Sequence, residues 1–189
     1  IAHKAALGTI AAINHRLSLG PEDRYLAVSS PDFDLSVYDI FCSLSSEAAL
    51  VLLSDDLYRD AESWTTLVRR HGVSVWNSVP ILLDMLLTAS DGELPLRAAL
   101  LSGDWIGLDL PQRLAVAARG CRFIAMGGAT EASIWSNWLE VTLPLPTDWH
   151  SIPYGYPLDN QMYRVADQYG RDCPDWVTGE LWIGGDGVA

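Results

Sequence analysis

Arg122-Phe123-Ile124-Ala125-Met126-Gly127-Gly128-Ala129-Thr130-Glu131 is the stretch from which the fold can be read. An apolar run leads into a glycine pair, then into a hydroxyl and a carboxylate. That order is a buried strand delivering a glycine turn. In an open α/β sheet, ligands bind beyond the carboxyl ends of the strands. Glycines there let a ligand approach the backbone, and free N–H groups there can meet phosphate. Thr130 adds a hydroxyl donor. Glu131 adds a carboxylate of the kind that holds a hard cation such as Mg²⁺. The stretch is neither a Gly-x-Gly-x-x-Gly fingerprint nor a Gly-Lys-Ser/Thr phosphate loop. Taken alone it reads first as a strand-to-helix turn, with Thr130 as cap and Glu131 favouring the helix N-terminus.

Upstream, the chain repeats the same strand-and-helix rhythm. Ala6, Leu7, Ile10, Ile13 and Leu17 fall at helical spacing, and Gly20-Pro21 ends that helix. Apolar strands are predicted at 24–29, 48–53, 73–77, 97–102 and 121–126. Helices are predicted at 35–44, 61–71, 80–88 and 111–118, with Pro80 in a first turn. Continuously apolar strands alternating with helices predict a mostly parallel, doubly wound α/β sheet with helices on both faces. Downstream of Trp138 the texture changes. Pro144, Pro146, Pro153 and Pro157 recur, and helical periodicity vanishes. Strands at 161–166 and 179–183 are joined by a polar turn. Residues 1–140 are therefore expected to form one subdomain, and 141–189 the start of a β-barrel subdomain.

Composition removes several function classes. The net charge is 12 − 24 = −12, which opposes a nucleic-acid partner, because phosphate binding needs basic patches. No apolar run reaches membrane-spanning length, and no signal peptide is visible. Cys42, Cys121 and Cys173 are widely spaced and odd in number, which indicates neither a zinc site nor a disulfide framework. A reducing, cytoplasmic compartment fits. His3, His15, His71 and His150 lack metal spacing. Lys4 is the only lysine. Without an initiator Met, and stopping just after a strand and a glycine loop, the chain is expected to be a segment of something larger.

Polar residues recur at the predicted strand ends: Asp34, Asn77, Ser102, Thr130 and Glu131. In a parallel sheet these share one edge. Leu35, Tyr38, Leu100, Met126, Ile134 and Trp135 would supply apolar walls, giving a small-molecule pocket with a few fixed polar groups. Asp34 either pairs with an ammonium group or caps the helix beginning near Ser36; spacing leaves both open. Asn77 reads equally as a strand-end turn residue, Ser102 as loop filler and Trp135 as core.

Phe33-Asp34-Leu35-Ser36-Val37-Tyr38-Asp39, Gly127 to Glu131, and Gly179-Glu180-Leu181-Trp182-Ile183-Gly184-Gly185-Asp186-Gly187-Val188-Ala189 stand in the order and spacing of three core motifs of adenylation domains. The chain resembles that family, found in nonribosomal peptide synthetases within the acyl-adenylate-forming superfamily. The resemblance implies that residues 1–140 are a flavodoxin-like subdomain of an adenylation core. It implies that Asp34 holds the substrate α-ammonium group. It places the side-chain pocket on Leu35, Tyr38, Asn77, Leu100, Ser102, Met126, Ile134 and Trp135. That series is similar to cysteine-activating domains of thiazoline-forming siderophore synthetases of the pyochelin and yersiniabactin type. Met126 departs from the Leu expected there.

The same resemblance implies that Gly127, Gly128, Ala129 and Thr130 meet adenine and the α-phosphate of ATP, and that Glu131 binds Mg²⁺. It implies cysteinyl-AMP formation, then transfer to phosphopantetheine on a carrier protein, beside condensation or cyclisation domains. The family's phosphate loop should precede Ile1. Its ribose-binding aspartate and catalytic lysine should follow Ala189, and Lys4 matches neither lysine motif. The segment alone is thus expected to be inactive. Other readings remain: a ligase for another amino or carboxylic acid, or a non-catalytic flavodoxin-like binding module.

Overall fold

The computed structural model describes all 189 residues. Five strands, β1 (Arg24–Leu26), β2 (Ala49–Val51), β3 (Val75–Ser78), β4 (Ala98–Leu101) and β5 (Arg122–Ala125), pair in parallel. Their spatial order is β2-β1-β3-β4-β5. Strand order therefore reverses between β1 and β3, the switch point at which doubly wound sheets open a crevice. The helices between them are α1 (His3–Leu17), α2 (Leu35–Ser45), α3 (Ala61–His71), α4 (Pro80–Ala89) and α5 (Leu110–Ala117).

Side-chain alternation along each strand divides the core in two. Val75, Ala98, Leu100 and Ile124 face a 16-residue cluster with Ile10, Ile13 and Leu17 of α1 and Leu35, Tyr38 and Cys42 of α2. Trp76, Ala99, Leu101 and Phe123 face a 21-residue cluster with Trp64 and Val68 of α3, Leu83 and Leu86 of α4, and Leu114 of α5. Helices thus cover both faces, as the unbroken apolar strands predict. Local signals set the helix ends. Asp60 accepts hydrogen bonds from the Glu62 and Ser63 amides at the start of α3, and Gly72 closes that helix at φ 60°. Pro80 opens α4, where its missing N–H costs nothing.

The predicted strand over 48–53 is shorter in the structure, with Leu52 72% exposed beyond β2. After β5 the chain does not enter a helix. Residues Thr130–Ala132 make one 3₁₀ turn, and β6 (Asn137–Val141) then runs back antiparallel to β5. β7 (Tyr156–Pro157) pairs antiparallel to β6 and completes a seven-stranded sheet. Neither strand stands out in the sequence. β6 is short and lies inside a Trp- and Ser-rich run, and β7 consists of two residues. β8 (Met162–Ala166) and β9 (Glu180–Gly184) form a separate antiparallel hairpin, joined by the polar turn that Asp167 holds through the Tyr169 and Arg171 amides.

Candidate functional site

β1, β3, β4 and β5 are parallel, so the segments leaving them gather at one edge of the sheet. There the Thr130 hydroxyl, from the loop after β5, donates to Asp34 Oδ2 at 2.8 Å. Ninety-six residues separate the two in sequence. Asp34 occupies the position before α2 but makes no capping hydrogen bond. The capping reading of this carboxylate is therefore wrong: its partner lies across the crevice. Thr130 likewise caps no helix, because none follows it.

Backbone geometry explains the glycines of the loop. A Cβ on Gly128 would sit 2.8 Å from Trp135 Cα, 2.9 Å from Ile134 O and 2.9 Å from Ser136 N. All three are main-chain atoms of the same loop's return limb. The Gly127 amide donates to Asn137 Oδ1, and the Asn137 amide group donates to Tyr154 O. Between the limbs, Trp135 N–H donates to Ser133 O at 2.9 Å across Ile134, whose φ is 73°. This is a γ-turn of the positive-φ kind, rare and strained, and Ile is a β-branched residue at that position. Such strain costs about 1–3 kcal/mol and clusters at ligand sites. The surroundings hold it in place: Ser133 Oγ donates to Gly187 O at 2.6 Å, Gln161 Nε2 to Ala132 O at 2.9 Å, and Ala189 N–H to Glu131 O at 2.8 Å.

Behind Asp34 the six apolar wall candidates fall together. Leu35, Tyr38, Leu100, Met126, Ile134 and Trp135 all belong to the α1/α2-side core cluster. Tyr38 and Trp135 meet edge-to-face with ring centroids 4.7 Å apart. Trp135 Nε1 donates to Ser102 Oγ at 2.8 Å. Asn77, in β3 beside Leu100, donates from Nδ2 to Asp39 Oδ1 at 2.8 Å and to Leu35 O at 3.3 Å. Asp39 is 1% exposed. Burial pushes its carboxyl well above the usual carboxylate range, and the Asn77 hydrogen bond only partly opposes this. Burial also raises the Cys42 thiol, which lies 2.9 Å from Tyr25 Oη and donates to Asn14 Oδ1. Cys42 is thus a packed neutral thiol rather than a nucleophile.

A cavity of about 590 Å³ is lined by Met126, Gly127, Gly128, Trp105, Asn137 and Tyr154 among others, whereas Asp34, Asn77, Ser102 and Trp135 do not line it. That volume suits a small-molecule site. Glu131 stands exposed at the loop, and no group of three or more potential metal ligands surrounds it or any other residue. A lone carboxylate fits Mg²⁺, which keeps several waters and commonly takes one or two protein carboxylates plus substrate phosphates.

Every predicted site residue therefore lies at or just below the carboxyl edge of the sheet. Sequence reading missed three that help build the site. Asp39 carried a signal: it shares one helical face with Leu35, Tyr38 and Cys42, and a carboxylate on an apolar face is an anomaly. Asn137 and Tyr154, which hold Gly127, carried none, because they come from segments without βα patterning.

A doubly wound domain with a glycine-hydroxyl-carboxylate loop at the carboxyl edge of its sheet presents the crevice in which such folds bind ligands. The sequence profile of the AMP-binding enzymes matches residues 1–189, and the chain belongs to that family. It is 57% identical over 194 residues to the anguibactin system regulator of Vibrio anguillarum, covering 100% of this chain and 18% of that protein. It is 53% identical over 193 residues to pyochelin synthetase PchE of Pseudomonas aeruginosa, covering 100% of this chain and 13% of that protein. The chain thus spans less than a fifth of the length of either relative. Among solved structures, the nonribosomal peptide synthetase FmoA3 in its AMPPNP-bound form superposes with a TM-score of 0.95 at 37% identity, over 100% of this chain and 21% of that one. No helix is long and apolar enough to cross a membrane.

Proposed function

We propose that the chain is part of an adenylation domain that activates L-cysteine with ATP and passes it to a phosphopantetheine carrier protein in siderophore-type nonribosomal synthesis. The observation that carries this reading is the 2.8 Å contact between Asp34 and Thr130. It supports the reading because the carboxylate assigned to the amine then lies within reach of the loop assigned to the nucleotide, so that one amino acid can reach both. Asp34 holds the α-ammonium group by a charge-assisted hydrogen bond. Leu35, Tyr38, Asn77, Leu100, Ser102, Met126, Ile134 and Trp135 enclose the side chain. Gly127, Gly128, Ala129 and Thr130 meet adenine and the α-phosphate through backbone and hydroxyl. The substrate carboxylate then attacks the α-phosphorus, and pyrophosphate leaves. Rate comes from alignment and charge neutralisation rather than from proton transfer. Glu131 would hold Mg²⁺, which would supply positive charge to the phosphates.

We take residues 1–140 as the flavodoxin-like subdomain and 141–189 as the start of a β-barrel, although β7 still pairs with the first sheet, with condensation or cyclisation domains as neighbours in a cytoplasmic synthetase. Acids without an amine offer nothing for Asp34 to pair with, which disfavours an aryl- or fatty-acid ligase. A non-catalytic binding module would leave ATP use by the parent indifferent to Glu131. The test is amino-acid-dependent ATP–pyrophosphate exchange by the parent synthetase. Cysteine is the preferred substrate, and Glu131→Ala lowers exchange on the order of 10²-fold or more. Exchange unchanged by Glu131→Ala, or a parent that activates only acids lacking an amine, overturns the reading.

A further inference from the structure

Asn77 is 1% exposed, and its two ends are treated differently. Nδ2 gives one hydrogen to Asp39 Oδ1 at 2.8 Å and the other to Leu35 O at 3.3 Å. Oδ1 is buried and has no hydrogen-bond partner in the protein. The orientation of the amide is not free. Turning it over would set Oδ1 against the Leu35 carbonyl, an acceptor that cannot become a donor. Buried polar atoms are almost always paired, so an orphan acceptor needs an explanation. This one lies at the tip of β3, on the residue paired with Leu100 of the proposed pocket wall. Nearby, Ser102 Oγ accepts the Trp135 Nε1 hydrogen bond, which leaves the hydroxyl hydrogen of Ser102 for a second partner. The walls are otherwise hydrocarbon and aromatic rings.

We propose that Asp39 is a positioning residue: with the Leu35 carbonyl it turns the Asn77 amide so that Oδ1 is presented as the acceptor for a hydrogen-bond donor on the substrate side chain. The inference rests on the proposed pocket and gives a physical ground for its choice: a short side chain ending in a hydrogen-bond donor, S–H or O–H. A thiol meets an acceptor at Asn77 and a donor at Ser102. Alanine and 2-aminobutyrate meet neither, and leave Asn77 Oδ1 unpaired. Asp39 itself touches no substrate. Its own Oδ2 is also buried and unpartnered, and burial shifts the carboxyl toward its neutral form. A neutral amide should therefore do its work, since Asn at this position offers Asn77 the same carbonyl acceptor.

The experiment compares cysteine with 2-aminobutyrate, which replaces the thiol by a methyl group, in ATP–pyrophosphate exchange by the parent synthetase. Wild type is expected to favour cysteine. Asp39→Leu is expected to raise KM for cysteine about tenfold with little change in kcat, and to leave 2-aminobutyrate nearly unaffected, because one neutral hydrogen bond is at stake. Asp39→Asn keeps the preference. Should Asp39→Leu fail to fold, Asp39→Asn against Asn77→Leu gives the same reading, the first retaining and the second losing the preference. An undiminished cysteine preference in folded Asp39→Leu or in Asn77→Leu overturns the proposal, as does an equal loss for both substrates. A parent that activates alanine in preference to cysteine and serine overturns the proposed function as well. A parent that prefers cysteine but ignores residue 39 overturns only this inference.

Discussion

Asp34 and Asp39 stand five residues apart around one helix N-terminus, and their surroundings give them opposite tasks. Asp34 is half-buried at the crevice and meets a hydroxyl; Asp39 is sealed in the core and meets an amide. Removing Asp34 takes away the charge that the amine would find. In the parent, Asp34→Ala is expected to raise KM for the amino acid on the order of 10- to 100-fold, in keeping with one lost charge-assisted hydrogen bond, while KM for ATP moves little. Steady-state kinetics with each substrate varied in turn would check this. Gly128 offers a different test. Its absent Cβ is replaced by main-chain atoms under 3.0 Å away, which cannot swing aside as a side-chain end could. Gly128→Ala is expected to destabilise the fold by about 1–3 kcal/mol through overpacking and to abolish nucleotide-dependent activity. A chemical-denaturation midpoint and an exchange assay on the same preparation report the two effects separately.

At the scale of elements, the far edge of the sheet is closed by charge. Asp23, just before β1, accepts from Arg97 Nε at 2.7 Å and Nη2 at 2.6 Å, from Ser74 Oγ at 2.8 Å and from the Gly20 amide at 3.0 Å. Arg97 also donates to Leu17 O at the end of α1. One carboxylate thus ties α1 and the starts of β1, β3 and β4 together. Burial works against its charge, but the Arg97, Ser74 and Gly20 bonds prevail and lower its pKa. A depressed carboxyl pKa stabilises the fold above the ordinary value of 3.8 and loses that contribution as pH falls through the folded value. Acid unfolding of wild type is therefore expected to have an arm below that value which Asp23→Asn flattens, measured by circular dichroism against pH. Removing one partner of a buried pair costs about 3–5 kcal/mol. Arg97 stays 39% exposed, so Asp23→Ala is expected near 2 kcal/mol, which thermal unfolding would register.

The molecule as a whole was legible in its strands and much less so in its returns. Val75, Trp76, Leu100 and Ile124 announce buried parallel strands because both faces are covered, and the strand tips then place Asp34, Asn77, Ser102 and Thr130 on one edge. That Asp34 reaches Thr130 rather than capping α2 was not legible, since spacing serves either partner equally. β6 and β7 were not legible either. Their positions are set by pairing to β5, not by a pattern of their own, and register imposed by a neighbour leaves little trace in local composition. Large apolar side chains also remain uncovered: Leu44, Leu52, Ile81, Trp105 and Trp176 are each more than half exposed. The isolated chain is expected to self-associate on concentration, and sedimentation velocity showing one monomeric species across a concentration series would contradict that.

The reversal of β6 against β5 has a bearing on engineering. Gly128, Thr130, Ile134 and Trp135 all hang on a single short hairpin crown whose feet are two neighbouring strands. On the proposed function, the groups assigned to the nucleotide and those assigned to amino-acid selectivity thus share one structural part. If that proposal holds, point exchanges at 134 or 135 made to retune amino-acid choice are expected to disturb the nucleotide-facing limb through the backbone they share. Grafting residues 126–137 intact from a donor of the desired selectivity keeps both halves in step.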